Sequence, residues 1–324
     1  MELPSLSRFS FLTLPDYSMI AVANAMEACR MANRIAGRDV YEWQVVTVDG
    51  VAATASNGLS LMPTARLLES TQTDILFVCG GTHVRAAVNK PVLSMLRRQA
   101  GKGRFMGALC TGAFALAEAG LLDGYKCAIH WENLASCREE FKNTAFVPDL
   151  FVVDRNRITC TGGVAPLDMM LHLIEARLGR RFAEAVSAAF VHERVRPGGE
   201  RQPLTGQYLN FSGPPILHKA MLLIEEDLAG DWSLAELAQR LNISSRQLHR
   251  IFKQHMNCTL GRFVQELRLK RAREVLQQMD LRVAEVAEMC GFSSPAYFSS
   301  AYSRFFGYSP RREGHEARTR GLVD

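Results

Sequence analysis

The sequence predicts a two-part fold: an α/β domain built on a parallel sheet with helices on both faces, followed by an all-α domain containing two helix-turn-helix units. Three observations carry this prediction. Strands and helices alternate as βαβα from Phe9 to about Leu178, the turn-rich stretch 196–216 then interrupts the chain, and one helical pattern occurs twice beyond it. A chain of 324 residues suits about two domains of roughly 150 residues each. Its 48% hydrophobic and 22% charged residues are an ordinary globular composition, which excludes a disordered tail protein.

Within the first part, Phe9–Leu14, Tyr41–Asp49, Asp74–Val78 and Arg104–Leu109 have the short apolar runs of strands. Met19–Ile35, Pro91–Ala100, Gly112–Ala119 and Ala165–Leu178 have helical periodicity. Sheets of this kind receive ligands at the carboxyl ends of their strands. The stretch RPGGERQPLTGQYLNFSGPPI (196–216) carries four prolines and four glycines, too many for continuous helix or strand. Its apolar Leu204, Tyr208, Leu209 and Phe211 allow it to dock, so a linker of limited flexibility is expected. The expected division is therefore 1–195, a linker at 196–216, and 217–324.

The second part opens with a helix at Ile216–Leu228 and then repeats itself. Ser233-LAELAQRLNISSRQLHRIFKQHM matches Arg282-VAEVAEMCGFSSPAYFSSAYSRFF, with Leu237 opposite Val286 and Phe252 opposite Tyr302. Each copy has a short amphipathic helix, a turn at Asn242 or Gly291 suited to a left-handed residue, and a second helix with Ser244-Ser245 or Ser293-Ser294 as cap candidates. Leu260–Met279 joins the copies as one long helix bearing Arg262, Arg268, Lys270, Arg271 and Arg273, and is expected to fix their separation. Two recognition helices so held can enter successive major grooves about one turn, ~34 Å, apart.

Charge supports that partner. The last 94 residues hold 15 Lys and Arg against 10 Asp and Glu, so the whole +5 surplus of the chain lies there. A basic excess in one domain is the footprint of a polyanion. On the second helix of the first copy, Leu248, Ile251 and Phe252 form the core face, leaving Ser245, Arg246, Gln247, His249, Arg250 and Lys253 for DNA. Arg pairs bidentately with guanine and Gln with adenine. In the second copy Phe298, Tyr302 and Phe305 are expected in the core, and Ser294, Pro295, Ala296, Tyr297, Ser299, Ser300, Ser303 and Arg304 on the DNA side. The bland alternative is a helical repeat that packs only against proteins.

From Leu217 to Arg312 the chain resembles the AraC/XylS family of bacterial regulators, through VAEVAEMCGFSSPAYFSSAYSRFFGYSPRR with Ala287, Gly291, Phe292, Phe298, Phe305, Gly307 and Pro310 in place. The first copy departs from it at Asn257 and Leu260, which correspond to Gly307 and Pro310. The resemblance implies double-stranded promoter DNA, RNA polymerase and a second copy of the chain as partners.

In the first part, the strand Arg104–Leu109 runs into Cys110-Thr111-Gly112 and a helix, the pattern of a nucleophile elbow. A thiol above a helix N-terminus can be acidic enough to react, but Cys110 is expected to act by shape and polarity in the pocket and not by covalent chemistry. Val78-Cys79-Gly80-Gly81 ends a second strand, and the N–H groups there and at Cys110 and Thr111 are expected to face one site. GALCTGAFALAEAGLLDG, AIHWEN and TCTGGVAPLDMMLHLIE make residues 9–180 similar to the class I glutamine amidotransferase-like superfamily, in its GlxA-like branch fused to AraC-type domains. That resemblance implies a flavodoxin-like sheet and, as effector, a small nitrogenous metabolite such as an amino acid or quaternary amine that activates catabolic genes. The expected pocket is Gly80, Gly81, Cys110, Thr111, His130, Trp131 and Glu132, with Trp131 and Glu132 receiving a cation.

Catalytic relatives join the Cys to a His and a carboxylate. Here Ser18–Val22 is apolar and Glu27 lies further along the helix, which favours a sensor over the alternative of a cysteine-dependent amidase. The eight cysteines lack CxxC or His-partnered spacing, so buried thiols in a reducing compartment are expected and no metal or cofactor is assigned. Without a signal-like or membrane-spanning run, the chain is expected in the cytoplasm.

Overall fold

The computed structural model describes residues 6–66, 73–101, 104–202, 213–278 and 281–313. It divides into two compact units, Met1–Gln202 and Pro203–Asp324. The first runs β1 (Arg8–Thr13), α1 (Met19–Ala36), β2 (Glu42–Thr47), β3 (Ala65–Arg66), β4 (Ile75–Cys79), α2 (Val84–Ala87), α3 (Lys90–Ala100) and β5 (Phe105–Leu109). It continues with α4 (Gly112–Glu118), β6 (Lys126–Ala128), α5 (Trp131–Glu140), β7 (Ala145–Val147), β8 (Phe151–Asp154), β9 (Arg157–Cys160), α6 (Ala165–Leu178) and α7 (Arg180–Ala189).

Among the described residues seven strands form one sheet in the order β3-β2-β1-β4-β5-β9-β8, parallel except for β8. A separate parallel pair joins β6 and β7. The alternation of β1 and β4 sends Phe9, Phe11, Ile75 and Phe77 into the core shared with α1, α6 and α7, while Leu12, Leu76 and Val78 turn to the other face. Each fully buried Phe contributes about 2 kcal/mol. Phe77 stacks on Phe11 at 5.7 Å and leaves no room on β5, where a Cβ at Gly107 would come within 2.3 Å of its ring. The four expected strands and four expected helices are present, with ends moved by one or two residues. The elements that sequence reading missed are mostly strands of two to four residues, too short to show a period of two.

Residues 196–202, expected to open the linker, belong to the first unit. Asp168, fully buried in the first turn of α6, accepts hydrogen bonds from the Arg196 backbone N–H at 2.8 Å and from its guanidinium at 3.0 and 2.6 Å. His192 Nε2 lies 3.0 Å from the same carboxylate. Further on, Gln202 donates to the Ile129 carbonyl at 2.8 Å, and Gly198 lies so close to Phe151 that a Cβ would meet its ring at 2.7 Å. Residues 203–212, with Leu204, Tyr208, Leu209 and Phe211, lie outside the described residues.

The second unit comprises α8 (Pro215–Glu226), α9 (Leu234–Arg240), α10 (Ser245–Met256), α11 (Leu260–Gln278), α12 (Val283–Met289) and α13 (Pro295–Phe306). Cap chemistry sets its turns as the sequence predicts. Ser233, Ser244 and Ser294 accept from the N–H groups of Glu236, Gln247 and Tyr297. Asn242 and Gly291 occupy the left-handed region between the paired helices, and Asn257 and Gly307 do so after α10 and α13. Two cores result, and α11 belongs to both: Phe263 and Leu267 pack with Leu237, Leu248 and Phe252, whereas Leu269, Ala272 and Val275 pack with Val286, Phe298 and Tyr302.

Arg268 sits where α11 passes from one core to the other. Its guanidinium donates to the carbonyls of Leu228 at 2.8 Å, Gly230 at 2.8 Å and Gly291 at 2.6 Å, with a longer bond to Ala229 at 3.3 Å. These carbonyls follow the ends of α8 and α12, where a cation is favoured. Glu313, only 6% exposed, closes the second core by accepting from Tyr302 at 3.0 Å, Tyr308 at 2.5 Å and Arg273 at 3.2 Å, and also from Gln277. Burial pushes its carboxyl up, but these donors outweigh burial and hold it below the ordinary range.

Phe305 corrects the sequence expectation. It is 39% exposed, and Phe306 packs instead, with its ring 4.5 Å from Tyr302. A helix period of 3.6 permits either position after Phe298 and Tyr302, and only packing chooses.

Replacing Arg268 by Ala leaves several carbonyls without their charged donor and should destabilise the second unit by roughly 3 kcal/mol. Arg268→Lys should recover only part of this, because one ammonium lacks the planar fork. Denaturant unfolding of the full chain checks both, and an unchanged midpoint for Arg268→Ala would exclude the bridge as a stabilising element.

Candidate functional site

The sheet brings four loops together at its carboxyl edge. Ser18 after β1, Gly80-Gly81 after β4, Cys110-Thr111 after β5 and Gly162-Gly163 after β9 meet there, and α1, α4 and α6 begin from three of them. Cys110 adopts φ 59°, the left-handed conformation of a sharp strand-to-helix turn, as the elbow pattern predicts. Close backbone approach explains the small residues around it. A Cβ at Gly80 would lie 2.5 Å from Thr111 Oγ1, at Gly81 1.8 Å from the Asp16 carbonyl, and at Gly112 1.9 Å from the Val78 carbonyl. Gly162 lies against both key side chains, since a Cβ there would meet His130 Cδ2 at 2.9 Å and Cys110 Sγ at 3.0 Å. His130 and Cys110 are thus neighbours across one glycine.

Cys110 itself is 7% exposed. Burial pushes its thiol up to about 12; the Thr111 N–H and the Ser18 hydroxyl favour the thiolate, but Glu132 opposes it and desolvation wins. At neutral pH the group is therefore a protonated thiol, and the acidic form that such an elbow can produce is not what burial favours here. Burial also holds the His130 imidazole below its ordinary value, with Glu132 acting the other way, so it is neutral at neutral pH. His130 Nδ1 lies 3.5 Å from Glu132 Oε2, and its ring centroid is 5.6 Å from that of Trp131.

Two of the N–H groups expected to face the site are already used by neighbouring carbonyls. Cys110 N–H donates to the Thr161 carbonyl at 3.3 Å and Gly80 N–H to the Leu109 carbonyl at 3.2 Å, while the Thr111 hydroxyl donates to the Gly81 carbonyl at 2.7 Å. These bonds hold the loops together. Glu27 pairs with Arg30 at 2.6 Å and Asp16 with His83 at 2.9 Å. Sequence reasoning missed Ser18, Gly162 and Asn24, whose amide donates to the Gly163 carbonyl at 3.3 Å. The pair of glycines before α6 was the available signal.

A cavity of about 770 Å³ lies elsewhere, between α6, α7 and residues 191–197, lined in part by His172, Glu175, Glu184, His192 and Arg196. The strand-end site has the better claim to chemistry, because parallel α/β sheets bind ligands at their carboxyl ends. Among the described residues no group of three or more His, Cys, Asp and Glu could hold a metal ion.

In the second unit Arg246, Gln247, His249, Arg250 and Lys253 are exposed on α10, with Ser245 half-buried. On α13 Pro295, Ala296, Tyr297, Ser300 and Arg304 are exposed, and Ser294, Ser299 and Ser303 half-buried. The arginines of α11 differ. Arg262 pairs with Glu266, Arg271 with Glu274 and Arg273 with Glu313, while Arg268 serves backbone carbonyls. On α11, then, Arg262 is an exposed residue with an i,i+4 partner, whereas Arg268 is engaged inside the fold.

An α/β unit whose sheet gathers a cluster of loops at its carboxyl edge, followed by two helix-turn-helix units, fits the class of two-domain DNA-binding transcription regulators. Residues 18–176 match the DJ-1/PfpI family and residues 237–313 a helix-turn-helix domain. The HTH-type transcriptional regulator GbdR of Pseudomonas aeruginosa is 42% identical over 303 residues, covering 94% of this chain and 83% of the relative. ArgR of the same organism, also an HTH-type transcriptional regulator, is 37% identical over 96% of this chain and 94% of its own length. A solved AraC family transcriptional regulator from Pseudomonas putida is 30% identical with a TM-score of 0.52, covering 57% of this chain and 99% of that one. The chain belongs to this family of AraC-type transcription regulators with an N-terminal DJ-1/PfpI domain, and it is a DNA-binding regulator rather than an enzyme.

Because its thiol is raised to about 12, Cys110 should react with iodoacetamide slowly near neutral pH, and the rate should not plateau between about pH 8 and 10, where an ordinary thiol ionises. Peptide mapping of the alkylated full chain measures this. Rapid modification with a plateau at or below about pH 7 would contradict the buried, protonated thiol.

Proposed function

We propose that the chain activates catabolic genes in response to a small nitrogenous metabolite, an amino acid or quaternary amine, held at the carboxyl edge of the first unit. The observation that carries this reading is a built strand-end site whose thiol is protonated and buried beside a neutral imidazole. Such a site suits binding without bond cleavage. Trp131 and the exposed Glu132 carboxylate receive the cationic end of the metabolite. Gly80, Gly81, Cys110, Thr111 and His130 shape the remainder.

Output runs through the second unit. Arg246, Gln247 and Arg250 of α10 read base edges, while Ser245, His249, Lys253 and the polar residues of α13, including Ser294, Ser299, Ser303 and Arg304, position the helices on the duplex. The reading includes a homodimer formed through the first unit, contact with RNA polymerase, and a cytoplasmic location. Among the described residues no helix is long and apolar enough to cross a membrane. Signal passes along α6, which begins beside Cys110 and holds Arg196 through Asp168 in its first turn.

Screening amino acids and quaternary amines by thermal shift tests the pocket: a true effector at about 100 times its Kd adds about 2.7 kcal/mol of stability. Cys110→Trp should abolish that shift and the transcriptional response while sparing DNA binding, and Cys110→Ser should retain both. Covalent turnover of the ligand, or a full response from Cys110→Trp, would sink the pocket assignment.

On the DNA side, Arg246→Ala and Arg250→Ala should each weaken the preferred site by ~1–3 kcal/mol. Gel shifts that show wild-type affinity for the double variant would remove these residues from the readout. Arg196→Ala should keep effector binding and DNA binding but blunt activation in a reporter assay, and an unaltered response would exclude the route through α6.

A further inference from the structure

The two helix-turn-helix units can be compared position by position. Ser244 and Ser294 both cap their recognition helices, Asn257 and Gly307 both end them in the left-handed region, and Leu248, Phe252, Phe298 and Tyr302 are all fully buried. The frame therefore equates Arg246 with Ala296, Gln247 with Tyr297, Arg250 with Ser300 and Lys253 with Ser303. The same scaffold displays opposite chemistry. The first turn of α10 offers exposed guanidinium and amide groups, and neither Arg246 nor Arg250 has an ion-pair partner among the described residues. The first turn of α13 exposes Pro295, Ala296 and Tyr297, the last at 53%.

Tyr297 is also held in place. Gln265 of α11 donates to its hydroxyl at 2.6 Å, and its ring centroid lies 6.1 Å from that of Phe292. An aromatic ring fixed from two sides beside Pro295 and Ala296 makes a small rigid apolar surface where its counterpart on α10 carries Arg and Gln. The N-terminal residues of a recognition helix are those that meet base edges. In the major groove the thymine C5-methyl is the apolar feature of a base edge, and a purine or cytosine edge pressed on Pro and Ala would leave its polar groups unpaired.

We infer that the two half-sites bound by one chain are read by different chemistry: α10 by hydrogen bonds to guanine and adenine, and α13 by apolar contact of Pro295, Ala296 and Tyr297 with thymine methyl groups. The inference rests on the reading of both helices as DNA-facing, and it assigns base identity to the second half-site. Arg304, three turns along α13 and without an ion-pair partner among the described residues, anchors that half-site through phosphate.

The test uses the full chain. Operators are selected from randomised duplexes, and Arg246→Ala identifies the α10 half-site as the one where selection relaxes. Thymines are then replaced by deoxyuridine in one half-site at a time, which removes the methyl group and keeps the pairing. Each contacted methyl lost from the α13 half-site should weaken binding about fourfold, with little change in the α10 half-site. Ala296→Arg, checked for native circular dichroism, should lose sensitivity to deoxyuridine and shift the selected base towards guanine. Arg246→Ala should leave the methyl effect intact, which serves as the control if Ala296→Arg fails to fold. Equal affinity for thymine and deoxyuridine duplexes, or a second half-site without selected thymine, would overturn the inference while leaving DNA binding standing. Failure to select any operator would remove the DNA-facing reading beneath it as well.

Discussion

The way this chain can address DNA hangs on one guanidinium. Arg268 lies at the point where α11 leaves the first helix-turn-helix core for the second, and it ties carbonyls after α8 to one after α12. Two small cores that share one helix would otherwise be free to twist about it. The bridge lies beside Gly291, where a Cβ would come within 2.7 Å of Ala229 Cα, so the turn between α12 and α13 sits directly on the loop between α8 and α9. Together with the packing of both cores on α11 and the Gln265–Tyr297 hydrogen bond, this contact relates α10 to α13.

The same bridge changes the meaning of the basic linking helix. Four of its arginines are paired within the protein, on carboxylates and carbonyls. A charged donor shared among several carbonyls is worth more inside the fold than as one more screened surface charge. Arg246, Arg250 and Lys253 of α10, by contrast, are exposed.

In the first unit the organising constraint is close backbone approach at the sheet edge. Gly80, Gly81, Gly112 and Gly162 let four loops meet so tightly that Cys110 is enclosed, and enclosure suppresses ionisation of its thiol. Geometry that in another setting would expose a nucleophile here seals a neutral group beneath the meeting loops. The DJ-1/PfpI scaffold thus serves a regulator, in keeping with relatives matched over nearly the whole chain that are transcription regulators.

Local rules were legible in the sequence. The repeat, the serine caps, the left-handed turns at Asn242 and Gly291, the principal strands and the elbow at Cys110 depend on residues within a few positions of one another, so period and cap chemistry determine them. The sequence by itself thereby determined the class of fold and the presence of two helix-turn-helix units. Only the tertiary structure decided which arginines stay exposed, whether Phe305 or Phe306 enters the core, that residues 196–202 are tied to Asp168 and its neighbours, and that the Cys110 thiol is protonated. Each of these turns on partners tens of residues away or on how far water is excluded. Charge, burial and pairing are properties of the assembled neighbourhood, and no local spacing encodes them.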